Sequence, residues 1–170
     1  MPAIRSILLH LDASAASATR LAVARLLAER HEARVTALFG VRPDATRAAF
    51  AYSAGAALQA AEAAEAAPYQ HERDRLRALW GEGGPECAWY EVVGETVTHG
   101  FLAEAAYADL LVLGRQANGD GAGAPAGFVE SAILDSGIPA LVVPHPYRQA
   151  TTGNRVLLAW NGSAQAARAM

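Results

Sequence analysis

Two stretches of the chain carry residue types suited to chemistry. One is Leu11-Asp12-Ala13-Ser14, where an acid and a hydroxyl follow an apolar run and precede an alanine-rich helix start. The other runs from Gly114 and Arg115 through Ala117, Gly119, Asp120, Gly121 and Gly123 to Gly127, Phe128 and Val129. A glycine-rich loop between a strand and a helix can present backbone N–H groups to a phosphate, helped by the positive end of the helix dipole. Glycines alone are a weak signal, because any loop may be rich in them. Arg115 adds one cation, while Asp120 places a negative charge where a triphosphate would be repelled. Asp12 is explained equally well by local turn chemistry.

Other reactive types are scattered. His10, His31, His71, His99 and His145 fall on different elements without a metal-ligand spacing. His10 lies inside a strand pattern and reads as a hydrogen-bonded interior histidine rather than a base. Ser14 lacks the G-x-S-x-G setting of a nucleophile. Cys87 is the single cysteine, which excludes an internal disulfide, and it reads as a small buried hydrophobe. Trp80, Trp89 and Tyr90 read as core or interface packing. No paired acid and base emerges, so no catalytic residues are expected and an enzyme is not.

The elements that must position these residues alternate along the chain. Five short apolar runs lie at 7–11, 35–41, 88–93, 110–113 and 140–143. They are nearly continuous in hydrophobicity, as strands buried on both faces of a parallel sheet are. Helical patterns separate them. One is capped by Ser14 and runs to about Arg30, with Leu21, Val23, Leu26 and Leu27 on its apolar side. An alanine-rich segment from Pro43 to Trp80 breaks or bends near Pro68 and ends at Gly81. Two more span Glu95 to Tyr107 and Val129 to Leu134. The alternation predicts an α/β fold with a doubly wound parallel sheet, whose ligand crevice lies beyond the carboxyl ends of the strands where the winding reverses.

The 170 residues suffice for one well-buried core, with 52% hydrophobic residues, much of that alanine, and a net charge of −3. Basic residues are interspersed with acidic ones, so neither a nucleic-acid face nor a membrane-binding basic cluster is expected. The apolar runs are far shorter than the ~20 residues of a membrane helix, and the N-terminus lacks a signal-peptide layout. A cytoplasmic protein is the expectation.

A shift of 149 positions superimposes Arg5-Ser6-Ile7-Leu8-Leu9-His10-Leu11-Asp12-Ala13-Ser14 on Asn154-Arg155-Val156-Leu157-Leu158-Ala159-Trp160-Asn161-Gly162-Ser163. Asp12 meets Asn161 and Ser14 meets Ser163. We therefore expect one domain at 1–147, a linker at 148–153 and the start of a second copy at 154–170.

The segments Ile7–Ser14, Ala108–Arg115 and Ile138–Pro144, in this order and with the repeat, resemble the universal stress proteins. The repeat resembles members with two such domains in tandem. The resemblance implies a five-stranded sheet in order 3-2-1-4-5 and, in some members, an ATP or AMP site between strands 1 and 4. Asp12 matches the family's acidic residue near the nucleotide and Val41 an adenine-side position, with local turn or cap chemistry the equal alternative for Asp12 and plain packing for Val41. The family's G-x2-G-x9-G-(S/T) pattern keeps its spacing at Gly114, Ala117 and Gly127, but Ala117 replaces the middle glycine and Phe128 the hydroxyl residue. Asp12, Val41, Gly114, Arg115, Ala117, Gly127, Phe128 and Val129 are thus the candidate cofactor-binding residues.

These departures favour a stress-response domain that works by dimerisation or partner association, its nucleotide site degenerate and no cofactor required. The resemblance implies a homodimer through strand 5, Ala140-Leu141-Val142-Val143, or the same contact with a second domain of the chain. The alternative is an ATP- or AMP-binding sensor using the cleft between strands 1 and 4. A nucleotide-activating ligase is disfavoured, because a second substrate domain is missing.

Overall fold

Strand β1 (Ser6–Leu11) is apolar except at Ser6 and His10. Side chains alternate across a strand, so Ile7, Leu9 and Leu11 serve one face and Leu8 and His10 the other. Both faces are buried, and β1 is the middle strand of a parallel sheet in order β3-β2-β1-β4-β5, with β2 at Arg34–Val41, β3 at Cys87–Val93, β4 at Leu110–Gly114 and β5 at Ala140–Val143. This is the doubly wound α/β sheet expected from the sequence. The computed structural model describes residues 4–41, 69–93, 97–115, 124–147, 152–157, 159 and 161–169.

Two helices cover each face. Helix α1 (Ala16–His31) and helix α2 (69–80) pack Leu21, Ala24, Leu27, Leu76 and Trp80 on Ile7, Leu9, Val35, Ala37 and Val112. Helix α3 (Val97–Ala105) and helix α4 (Phe128–Asp135) pack Val97, Phe101, Phe128 and Ala132 on Leu8, Leu38, Leu111 and Leu113. Of the Pro43–Trp80 expectation, only 69–80 falls among the described residues, and it is helical. Pro43–Pro68 lies outside them.

The winding reversal between β1 and β4 is held at its amino end by Asp109. Its Oδ2 accepts from the backbone N–H groups of Arg5 and Ser6, each at 2.9 Å. These bonds hold its carboxyl below the usual range.

Ser14 does not cap α1 as expected. The helix begins at Ala16, and no side chain bonds its first N–H groups. The Ser14 hydroxyl donates instead to Asp12 Oδ1, because an ionised carboxylate is the stronger acceptor and lies within reach.

Among the described residues no helix is long and apolar enough to cross a membrane. Strand β5 is an outer strand. Pro139 O and Val143 O accept from Leu111 N of β4 and from Arg115 N just after it. With a period of two, the N–H and C=O groups of Ala140 and Val142 therefore face the open edge.

Candidate functional site

β1 ends and the chain turns at Asp12, beside the reversal of strand order. Asp12 Oδ1 accepts the Ser14 N–H at 2.9 Å and the Ser14 hydroxyl, an Asx turn of the kind short acids form. Ser17, fully buried in the first turn of α1, adds a second clasp. Its Oγ accepts the Asp12 N–H at 2.9 Å and lies 2.7 Å from Asp12 O and 2.9 Å from Asp12 Oδ1.

The group that completes this site is Arg20. Its Nη2 lies 2.8 Å from Asp12 Oδ1 and donates to Ser17 Oγ at 2.7 Å. Both charged side chains are about 95% buried. The guanidinium lies across Gly114 at the end of β4, where a Cβ would stand 2.7 Å from Arg20 Cδ. The first glycine of the loop pattern thus makes room for an arginine of the chain itself. Burial pushes the Asp12 carboxyl up, but Arg20, then His10 and the Ser14 bonds, outweigh it and hold the carboxyl below its usual range. Arg20 Nε, also buried, has no hydrogen-bond partner among the described residues.

Arg20 was absent from the sequence candidates. A signal existed: Ser17, Arg20, Ala24, Leu27 and Ala28 follow helical spacing, so Arg20 falls on the face that must be buried. A charge there requires a partner.

Phe128 corrects an expectation. Taken as the residue replacing a phosphate-binding hydroxyl, it is 1% exposed inside the core. Its ring lies 4.3 Å from the His10 ring and 5.1 Å from the Phe101 ring between centroids. An apolar ring at a helix N-terminus turns into the core because solvent exposure would forfeit its burial energy. His10 is interior as expected, but its Nε2 has no hydrogen-bond partner among the described residues. Burial and then Arg20 push its pKa down to about 3, against an opposing pull from Asp12.

The remaining candidates are dispersed. Val41 is buried in the α1-side core at the end of β2. Arg115 is exposed, its N–H bonded to Val143 O. Gly127 takes a left-handed φ of +75° as N-cap of α4, with no atom of the described residues within 4 Å of a Cβ there. Val129 packs half-buried on the α4-side core. Ala117 and Asp120 lie outside the described residues. Asp12 and Gly114 are therefore brought together, through Arg20, whereas Val41 and Phe128 serve the core.

Among the described residues no group of three or more His, Cys, Asp or Glu gathers as a metal site. Two concavities, of about 590 Å³ beside Glu29, Glu32 and Glu86 and about 240 Å³ beside Ser6, Tyr90 and Tyr107, lie at the amino ends of the strands. They are at the opposite end of the sheet from Asp12.

Asn161 and Ser163 repeat part of this geometry. Asn161 Oδ1 accepts the Ser163 N–H at 3.0 Å, as Asp12 does that of Ser14. Ser163 Oγ accepts the Ala166 N–H at 3.1 Å and caps helix α5 (Ala164–Ala169), the task Ser14 leaves undone. Val156 and Leu157 are exposed. Arg30 Nη1 ties the preceding segment to α1 by donating to Thr152 O at 2.9 Å.

The sequence profile of the universal stress protein family matches residues 3–144. Universal stress protein UspA from Lactobacillus plantarum is 22% identical, with a TM-score of 0.63 over 84% of this chain and 99% of its own. A universal stress protein family member from Burkholderia pseudomallei is 20% identical, with a TM-score of 0.58 over 85% and 98%. A universal stress protein solved in complex with cAMP is 21% identical, with a TM-score of 0.50 over 84% and 98%. No curated protein sequence matches the chain.

Proposed function

Because the chain belongs to the universal stress protein family, we propose that it is a cytoplasmic, non-catalytic stress-response domain that acts through association, its nucleotide crevice closed to the usual ligands. One observation carries this reading. The acid that would face a ligand at the end of β1 is buried and already bonded to Arg20, Ser14 and Ser17. The hydroxyl expected at the start of α4 is absent, and the ring in its place is part of the core.

Association is supported by β5. Its outward N–H and C=O groups border half-buried Leu141 and Val142, and an apolar strand edge invites pairing. We assign that edge to a second copy of the chain, or to a second domain that continues the repeat begun at Asn154. Sedimentation velocity at tens of micromolar should give a dimer. A clean monomer would overturn the homodimer.

A nucleotide sensor is the second reading. It draws on the open left-handed N-cap at Gly127 and on the similar protein solved with cAMP. Calorimetry with cAMP, AMP and magnesium ATP separates the two. Silence with all three favours the first reading, and saturation below about 1 mM the second.

A further inference from the structure

We propose that Arg20 is the residue that shuts the crevice between β1 and β4 to phosphate-bearing nucleotides, acting as a built-in cation in place of a ligand contact. The proposal rests on the closed-crevice reading and names what closes it.

Three features point to Arg20 and not to Phe128. The first is space. The guanidinium covers Gly114, the β4 residue whose missing side chain would let a ligand reach the backbone. Phe128 packs into the core on the other face of the sheet, against His10 and Phe101. The second is charge. A nucleotide phosphate could recruit Arg20 only by drawing it from Asp12, leaving a carboxylate buried without its counter-ion. Breaking a buried pair in this way weakens binding by roughly 100-fold or more. The third is rigidity. Asp12 and Ser17 together aim the Nη2 group, and the seat is kept even though Nε–H is left without an acceptor among the described residues.

The internal repeat adds an independent observation. The positions matching Asp12, Ser17 and Arg20 are Asn161, Ala166 and Ala169. The acid, its hydroxyl clasp and its arginine are lost together, while the Asx turn survives. The three side chains therefore form one unit, separable from the turn that carries them.

The test gives the first copy two of the second copy's residues. The full chain carrying Asp12→Asn with Arg20→Ala has no bare buried charge to unfold it, and Arg20→Ala alone serves as its partner. AMP, cAMP and magnesium ATP are titrated by calorimetry, with the Gly114 and Gly127 amide resonances followed by NMR. The wild type should stay silent to about 1 mM, whereas a folded variant should saturate with at least one probe, about tenfold or more tighter, and shift both resonances. Folded variants as silent as the wild type would overturn the role of Arg20 and leave the closed-crevice reading standing. Wild-type binding below about 1 mM would overturn that reading itself.

Discussion

Arg20 Nη2 and Asp12 Oδ1 stand 2.8 Å apart, joining the first turns of α1 to the end of β1 with both side chains almost wholly buried. Removing one member of such a pair strands the other charge in the interior, which is far costlier than replacing both. Arg20→Ala should lower unfolding free energy by about 3 kcal/mol. Asp12→Asn combined with Arg20→Ala should cost less than the sum of the singles. A double-mutant cycle from urea denaturation measures the coupling, and additivity would refute the pair.

Ser17 Oγ serves both partners, accepting from Arg20 Nη2 and the Asp12 N–H. Ser17→Ala leaves the buried Asp12 N–H without its acceptor and takes one of the two partners of Arg20 Nη2, which keeps Asp12 Oδ1. The expected loss is about 1–3 kcal/mol, read from the same denaturation curves.

Stability should fall on acidification. His10 is protonated near pH 6.5 when unfolded, but only near pH 3 in the fold, chiefly because of burial. Between these values the unfolded state binds more protons, so stability declines as pH drops through the window, by up to about 1.4 kcal/mol per pH unit. Asp12, whose carboxyl is held low, adds to the decline at the acid end as it protonates. Unfolding free energies from pH 7 to 4.5 should show this slope, and His10→Leu should flatten it. A flat wild-type profile would contradict a neutral, buried His10.

Phe128→Ser should not create a phosphate site while Arg20 remains. It should instead leave a cavity against His10 and Phe101 and lower stability by about 3 kcal/mol or more. Calorimetric binding of ATP by this variant below about 1 mM would show that the ring, and not the arginine, closed the crevice.

Val142→Pro removes a donor from the open edge of β5 while sparing the carbonyls of Pro139 and Val143 that bond β4. It should yield monomers in sedimentation with the circular dichroism of the wild type. A persistent dimer would place the association elsewhere.

Much of the architecture was legible locally. Runs such as Ile7–Leu11 and Leu110–Leu113 are too continuous in hydrophobicity for half-exposed strands, and their alternation with helices leaves few topologies. Ile7, Leu9 and Leu11 could be assigned to one face from their spacing alone. The resemblance carried by Ile7–Ser14, Ala108–Arg115 and Ile138–Pro144 added the strand order, which those local patterns leave open. Helix boundaries were close, though the Ser14 cap failed because a carboxylate two residues earlier competes for the same hydroxyl.

The site was legible only in part. Asp12 and Gly114 stood out because an acid and a glycine at strand ends are informative types wherever they occur. Arg20 carried no motif, and its burial depends on a carboxylate from the preceding turn and on a missing side chain on β4, which only the folded sheet brings together. Phe128 shows the same division. Its place at the start of α4 follows from spacing, whereas its direction, into the rings of His10 and Phe101, depends on packing between distant elements. Periodicity is a property of neighbours in the chain and determines the elements. The seat of Arg20 joins a carboxylate eight residues earlier to a glycine on a strand remote in sequence, and tertiary structure alone decides it.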